Sequence, residues 1–154
     1  AYDLPILVFR FFNVFGPLQT PDHTYAAAIP AFLRAAFQNQ PIPIHGDGTQ
    51  SRDFTYVESV VDVITDALVR RIGHLAPINL AFGSRITLLE IIAELELIFE
   101  RDLPIEFLNP REGDVPHTQA DPTCLKSLFP HITPANTSDG LRDTVRWFEG
   151  ARPW

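Results

Sequence analysis

Close to its start the chain enters Pro5-Ile6-Leu7-Val8-Phe9-Arg10-Phe11-Phe12-Asn13, an almost unbroken apolar run. A strand that is apolar on both faces has to be covered on both, and that cover comes from a parallel sheet whose crossover helices pack above and below it. Such a strand cannot make its own neighbours. The run therefore predicts an α/β sheet. With no methionine in the sequence and only four residues ahead of the run, it also predicts a piece cut from a larger α/β protein. The 154 residues, 45% of them hydrophobic, are still enough to bury a domain-sized core.

The remaining sequence alternates between strand and helix signals. Gly16-Pro17 marks a turn, and a polar loop over 19–24 leads into an alanine-rich helix over 25–37, firm from Pro30 onward because proline suits a first turn. An extended segment is expected over 41–45, a turn at Gly46-Asp47-Gly48, and a second extended piece over 52–56. Val57, Val60, Val61, Ile64 and Leu68 recur at helical spacing up to Arg71. Residues 77–82 form another apolar strand, ended by Gly83. Thr87 with Glu90 three residues on is a capping box, opening a helix whose buried stripe is Leu88, Ile91, Ile92, Leu95, Ile98 and Phe99. Residues 105–108 alternate as a half-buried strand. Asp121-Pro122 reads as an N-cap with proline in the first turn of a short helix, and a last helix over 138–148 turns Leu141, Val145 and Phe148 inward. No repeat or linker interrupts this single α/β unit.

Several function classes are disfavoured. A net charge of −7 and a pI near 5.1 repel nucleic-acid backbones. Cys124 is the only cysteine, so no internal disulfide can form, and neither CxxC nor HxxxH spacing suggests a metal site. No apolar stretch is long enough for a membrane span and no secretory leader is legible, so a cytoplasmic protein is expected.

Two arginines stand out by position. Arg52 and Arg111 each sit in a turn-rich segment beside an extended stretch, where α/β proteins place ligand groups. Two guanidinium forks from separate loops suit a diphosphate, and losing one should weaken such a ligand by about ten- to a hundredfold. The competing reading makes them loop anchors, Arg52 paired with Asp53 and Arg111 with Glu112 or Asp114. Asn13, at the end of the first strand, either donates its amide to a phosphate oxygen or caps the turn into Gly16. The histidines are scattered, and Cys124 has no histidine near it in sequence, which argues against a nucleophile. Gly46-Asp47-Gly48 is not a dinucleotide fingerprint, since Ser51 stands where the third glycine would be. No tyrosine is followed four residues later by lysine.

Taken together, Arg10-Phe11-Phe12-Asn13-Val14-Phe15-Gly16-Pro17, then Ile44-His45-Gly46-Asp47-Gly48-Thr49-Gln50-Ser51-Arg52-Asp53-Phe54-Thr55-Tyr56-Val57, then Arg111-Glu112-Gly113-Asp114-Val115 with Ala120-Asp121, and Gly140-Leu141-Arg142 resemble the NAD-dependent nucleotide-sugar epimerase/dehydratase family, the extended short-chain dehydrogenases. The resemblance runs over nearly the whole chain and looks nearest to UDP-sugar 4-epimerases. It implies the carboxyl-terminal half of such a protein: the last part of a Rossmann-type parallel sheet plus the small α/β substrate-binding lobe. The glycine-rich NAD-binding half, the catalytic tyrosine and lysine, and the helices of a homodimer would lie upstream.

By the same resemblance, Asn13 contacts the phosphates of a nucleotide diphosphate sugar, Arg52 and Arg111 bind its diphosphate, and Asp114 accepts a ribose hydroxyl. Ala27 and Ala28 offer backbone groups to the ligand, Pro43, Ile44 and His45 edge the base, and Phe11 and Phe12 flank the nicotinamide of NAD. Glu58 and Leu18 depart from the family pattern, the first at a structural cap, the second at the active-site rim. The activity implied is 4-epimerisation of a UDP-sugar through a 4-keto intermediate, with this segment inert alone. A 4,6-dehydratase, a uronate epimerase or a non-catalytic binding module is the alternative.

Overall fold

A computed structural model describes residues 5–21 and 27–153 of the chain. The opening apolar run forms strand β1 (Phe9–Phe11), breaks at Asn13 and resumes as β2 (Val14–Phe15). Asn13 takes the left-handed backbone, φ 35°, a conformation that asparagine tolerates better than most side chains. There follow α1 (Ala28–Phe37), β3 (Ile42–His45), β4 (Ser51–Arg52), β5 (Thr55–Tyr56), α2 (Val57–Arg70), β6 (Ile78–Leu80), β7 (Ile86–Thr87), α3 (Leu88–Phe99), β8 (Ile105–Leu108), α4 (Thr123–Leu128) and α5 (Thr137–Ala151).

The pairing is mostly parallel. β1 lies beside β6 with Phe9 opposite Ile78, β2 beside β5 with Val14 opposite Thr55, and β3 beside β8 with Ile42 opposite Ile105. Each pair is joined by a crossover of more than a dozen residues that contains helix, as parallel strands require. The short β4 and β7 pair antiparallel. This is the mixed α/β fold with parallel strands that the sequence predicts, and strands 5–13 and 77–82 do share a sheet.

Boundaries moved where local geometry intervened. The run over 5–13 is regular only at β1, because the bend at Asn13 sends its two halves to different partners. The extended piece over 52–56 splits at Asp53 and Phe54 for a similar reason: β4 pairs with β7 and β5 with β2. Pro30 is the third residue of α1, where the missing N–H costs nothing. Tyr25 and Ala26, at the start of the expected alanine-rich helix, lie outside the described residues. The Thr87–Glu90 capping box is present in both directions. Pro122, expected in the first helical turn, is instead the N-cap of α4, while Asp121, the expected cap, stands one residue before it and accepts from the backbone and hydroxyl of Thr123.

Two buried clusters form the interior. One gathers Phe15, Phe32, Leu33, Ile42, Ile44, Ile91, Leu95, Leu141 and Phe148 from α1, α3, α5 and the β3–β8 pair. The other gathers Val63, Ile78, Leu80, Leu125 and Phe129, with Leu7 and Phe9 packed against it. Each buried side chain of this size contributes about 1.5–3 kcal/mol. Burial of β1 on both faces does not occur within this chain: Ile6, Val8 and Phe11 are 65%, 48% and 59% exposed.

Tyr56 locks α5 to the sheet. Its ring is buried against Gly140, and its hydroxyl is held neutral to higher pH than an ordinary tyrosine by burial first and by the Asp143 and Glu58 carboxylates second. Gly140→Ala is therefore expected to destabilise the fold although alanine is the better helix former. The new Cβ would stand 2.7 Å from Tyr56 Cγ and 2.8 Å from Cδ2. Overpacking of this kind costs about 1–3 kcal/mol, against about 1 kcal/mol gained in helix propensity. Chemical denaturation should show a lower midpoint for the variant; a raised midpoint would mean that Tyr56 moves aside freely.

Candidate functional site

A cavity of about 490 Å³ opens where the bend at Asn13, the first turn of α1, the end of β3, β4 and the loop 111–114 meet. It is lined by Asn13, Ala27, Ala28, His45, Arg52, Arg111 and Asp114, all of which the sequence singles out, and also by Gln50, Phe54 and Leu88. The expected residues do converge, from five separate stretches of chain. Ile44 does not line the cavity: alternation along β3 turns its side chain into the core, 1% exposed, while Pro43 and His45 face outward. Phe11 and Phe12 also lie away from it, at the carboxyl end of β1, where Phe11 is exposed. Leu18 is exposed with left-handed backbone, and Glu58 is exposed in the first turn of α2, where its charge suits the helix dipole.

The two arginines differ. Arg52 Nη2 donates to Asp114 Oδ1 at 2.5 Å, and Nη1 donates to the carbonyls of Ser51 at 2.9 Å and Pro116 at 3.3 Å. The anchor reading of Arg52 through Asp53 fails, because Asp53 turns away into the interior; the partner is Asp114, sixty-two residues on. Arg111 carries no side-chain hydrogen bond or ion pair among the described residues, so its pairing with Glu112 or Asp114 does not form. One guanidinium is held against a carboxylate, and the other makes no such pair among the described residues.

Backbone donors add to this charge. Ala27 precedes α1 and has no side chain with which to cap it, so the first-turn N–H groups at Ala28 and Ile29 remain available at the positive end of the helix dipole beside the cavity. At the opposite wall His45 Nδ1 meets the carbonyl of Asn109 at 3.0 Å, which makes Nδ1 the protonated nitrogen of the neutral ring, and Gln50 Nε2 donates to the His45 carbonyl at 2.6 Å. Asp47 accepts from the backbone and hydroxyl of Thr49, which hold its carboxyl below the usual range and fix the Gly46–Gly48 segment as a turn. The arrangement can grip an anion with two forks and a helix terminus while apolar walls from Ala31, Phe32 and Leu88 take a flat or apolar group.

Three features had no clear signal in the sequence. Ser51 Oγ accepts from Arg85 Nε at 3.0 Å and contacts His117 Nδ1 at 2.9 Å, pinning the segment after the Arg111 loop to β4. Asp53 is fully buried. Cys124, with no histidine partner near it in sequence, has His74 Nε2 3.7 Å from its sulfur, brought there by the packing of α4 near the end of α2. Spacing along the chain could not have shown contacts across fifty residues. Among the described residues no cluster of His, Cys, Asp and Glu is built to hold a metal, and no helix is long and apolar enough to cross a membrane.

Comparison with known proteins places this α/β fold in a family. The chain belongs to the NAD dependent epimerase/dehydratase family, whose model matches residues 1–81. It is 34% identical over 150 residues to an uncharacterized UDP-glucose epimerase of Bacillus subtilis, covering 96% of this chain and 45% of that protein. It is 36% identical over 147 residues to the UDP-glucuronate 4-epimerase of Thermodesulfobacterium geofontis, covering 95% and 44%. The solved UDP-N-acetylglucosamine 4-epimerase of Methanobrevibacter ruminantium, in complex with UDP-N-acetylmuramic acid, superposes with a TM-score of 0.87 at 33% identity over 98% of this chain and 48% of its own. The Bacillus cereus UDP-glucuronic acid 4-epimerase, in complex with UDP-glucuronic acid and NAD, gives 0.84 at 30% identity over 96% and 46%. The chain spans about half the length of the curated relatives it matches.

The Arg52–Asp114 pair sets a testable competition. An anion that takes Arg52 has to displace or share it with Asp114, and a partly exposed pair of this kind contributes up to about 1 kcal/mol. Asp114→Asn should therefore tighten binding of inorganic diphosphate by up to about fivefold, read by titration calorimetry at low salt. Weaker binding would show that Asp114 orders the cavity more than it competes.

Proposed function

We propose that this chain is the sugar-nucleotide-binding portion of an NAD-dependent nucleotide-sugar epimerase, most simply a UDP-sugar 4-epimerase. The observation that carries this reading is the convergence of Arg52, Arg111 and the uncapped first turn of α1 on one cavity. Two arginines and backbone N–H groups around one pocket suit a diphosphate, and the apolar walls beyond His45 suit a nucleobase. Among relatives matched over nearly the whole of this chain, one is named a UDP-glucose epimerase and another a UDP-glucuronate 4-epimerase, and solved neighbours hold UDP-sugars.

In this reading Arg52 and Arg111 clamp the diphosphate, Asn13 adds an amide donor, and Asp114, released from Arg52 by the phosphates, takes a ribose hydroxyl. His45 and the backbone at Ile44 edge the base, and the backbone at Ala27 and Ala28 lines the ligand. A ligand held firmly by its diphosphate and loosely by its sugar can turn its sugar over without leaving, which is what inversion at C4 through a 4-keto sugar requires. NAD supplies hydride acceptance and return at that carbon. Of this chain's residues, Phe11 and Phe12 fit its nicotinamide, since an exposed aromatic edge at the carboxyl end of β1 can lie against a flat ring. The described residues offer no glycine-rich turn for its diphosphate, so most of its binding falls to residues outside this chain. The exposed Ile6 and Val8 on one side of the β1 run and Phe11 on the other support the same division, being apolar side chains suited to cover by further packed elements.

Arg52→Ala and Arg111→Ala in the full-length protein should each weaken UDP binding by about ten- to a hundredfold. Unchanged affinity in both would leave the arginines as loop anchors. The 154-residue chain by itself should not epimerise UDP-glucose above background, and clear turnover would defeat the assignment of chemistry to residues outside it.

A further inference from the structure

We infer that Asp53, which does not touch the cavity, is the positioning residue for its anion-binding groups; the inference rests on the diphosphate reading above. Asp53 is fully buried, and its carboxylate makes no ion pair among the described residues. It accepts three hydrogen bonds instead: Oδ2 from the Gly83 N–H and the Ala120 N–H, both at 3.1 Å, and Oδ1 from the Ser84 hydroxyl at 2.8 Å. Its own carbonyl accepts from Asn13 Nδ2 at 3.2 Å.

These four bonds reach three stretches of chain that bear on the cavity. Asn13 is the bend between β1 and β2. Gly83 and Ser84 are the corner between β6 and β7, and β7 pairs with β4 so that Ile86 lies opposite Arg52. Ala120 follows the loop that carries Arg111 and Asp114. Arg52 is the neighbouring residue in the chain. A carboxylate is suited to this work because it presents only acceptors, so all three donors can be satisfied by one rigid group. Arg52, Asn13 and the outgoing end of the 111–114 loop are thereby referred to a single fixed point. Shifts of an ångström among ligand-gripping groups are costly, so the anchor acts on recognition through the groups it places.

The geometry distinguishes the role of hydrogen bonding from that of charge. An asparagine at 53 can set its carbonyl oxygen where Oδ2 stands and direct its amide at Ser84 Oγ, whose proton then turns to the Phe54 carbonyl 3.2 Å away. All three links survive without the charge. An alanine leaves the three donors without their shared acceptor.

The test is UDP titration calorimetry on the full-length protein, with Kd and the binding-competent fraction read separately. Asp53→Ala should weaken UDP by about tenfold in the fraction that binds, and Asp53→Asn should restore most of that affinity. In an Arg52→Ala background the further loss from Asp53→Ala should shrink from about tenfold to about threefold, because the part of the anchor's effect that acts through Arg52 is gone while Asn13 and the 111–114 loop are still placed by it. If Asp53→Ala does not fold, Ser84→Ala, which removes one donor of three, carries the test with an expected loss of about threefold. An unchanged Kd with a smaller competent fraction would overturn the inference, as would equal losses from alanine and asparagine or full additivity with Arg52→Ala. Should Arg52→Ala itself leave UDP affinity unchanged, it is the diphosphate reading that fails.

Discussion

A carboxylate sealed from solvent is a constraint that a fold has to be built around. Unpaired, it would cost several kcal/mol, and Asp53 avoids that cost only while Gly83, Ser84 and Ala120 all keep their donors in place. Those donors sit thirty and more residues from Asp53 in sequence, so the bonds exist only when the chain has closed correctly. The same carboxylate joins the two halves of the structure. Behind it lie β1, β6 and the cluster around Leu80 and Leu125; beside it lie β4, β5 and the cluster around Phe15 and Ile42.

The cavity follows from that junction. Asn13 can bend the apolar run because its left-handed backbone is secured by a bond to the Asp53 carbonyl, and the bend is what separates β1 from β2. Arg52 leaves the same junction toward the cavity and holds the 111–118 segment through Asp114 and Pro116. Arg52 is therefore already paired with Asp114, while Arg111 makes no ion pair among the described residues. In the proposed function, a diphosphate would rearrange the first arm's ion pair and create one at the second.

Much of this was legible in the sequence. Apolar runs at 5–13 and 77–82 required a parallel sheet, and Thr87 with Glu90 marked a helix start that the structure has in full. Arg52 and Arg111 were marked as a pair by their place in turns beside extended stretches, and the cavity holds both. The alternative pairing of Arg52 with Asp53 does not form because neighbours along an extended chain point to opposite sides. The same alternation turns the Ile44 side chain into the core and leaves Pro43 and His45 on the cavity side.

The sequence by itself determined what depends on residues close together in the chain: strand and helix periodicity, caps, turns, and the residue types able to bind a diphosphate. The tertiary structure alone decided which of those residues meet. Asp114 reaches Arg52 across sixty-two residues, and His74 reaches Cys124 across fifty. The first contact is set by how the 111–118 segment lies along β4 and the second by how α4 packs near the end of α2, and packing is a property of the closed chain that no local pattern encodes.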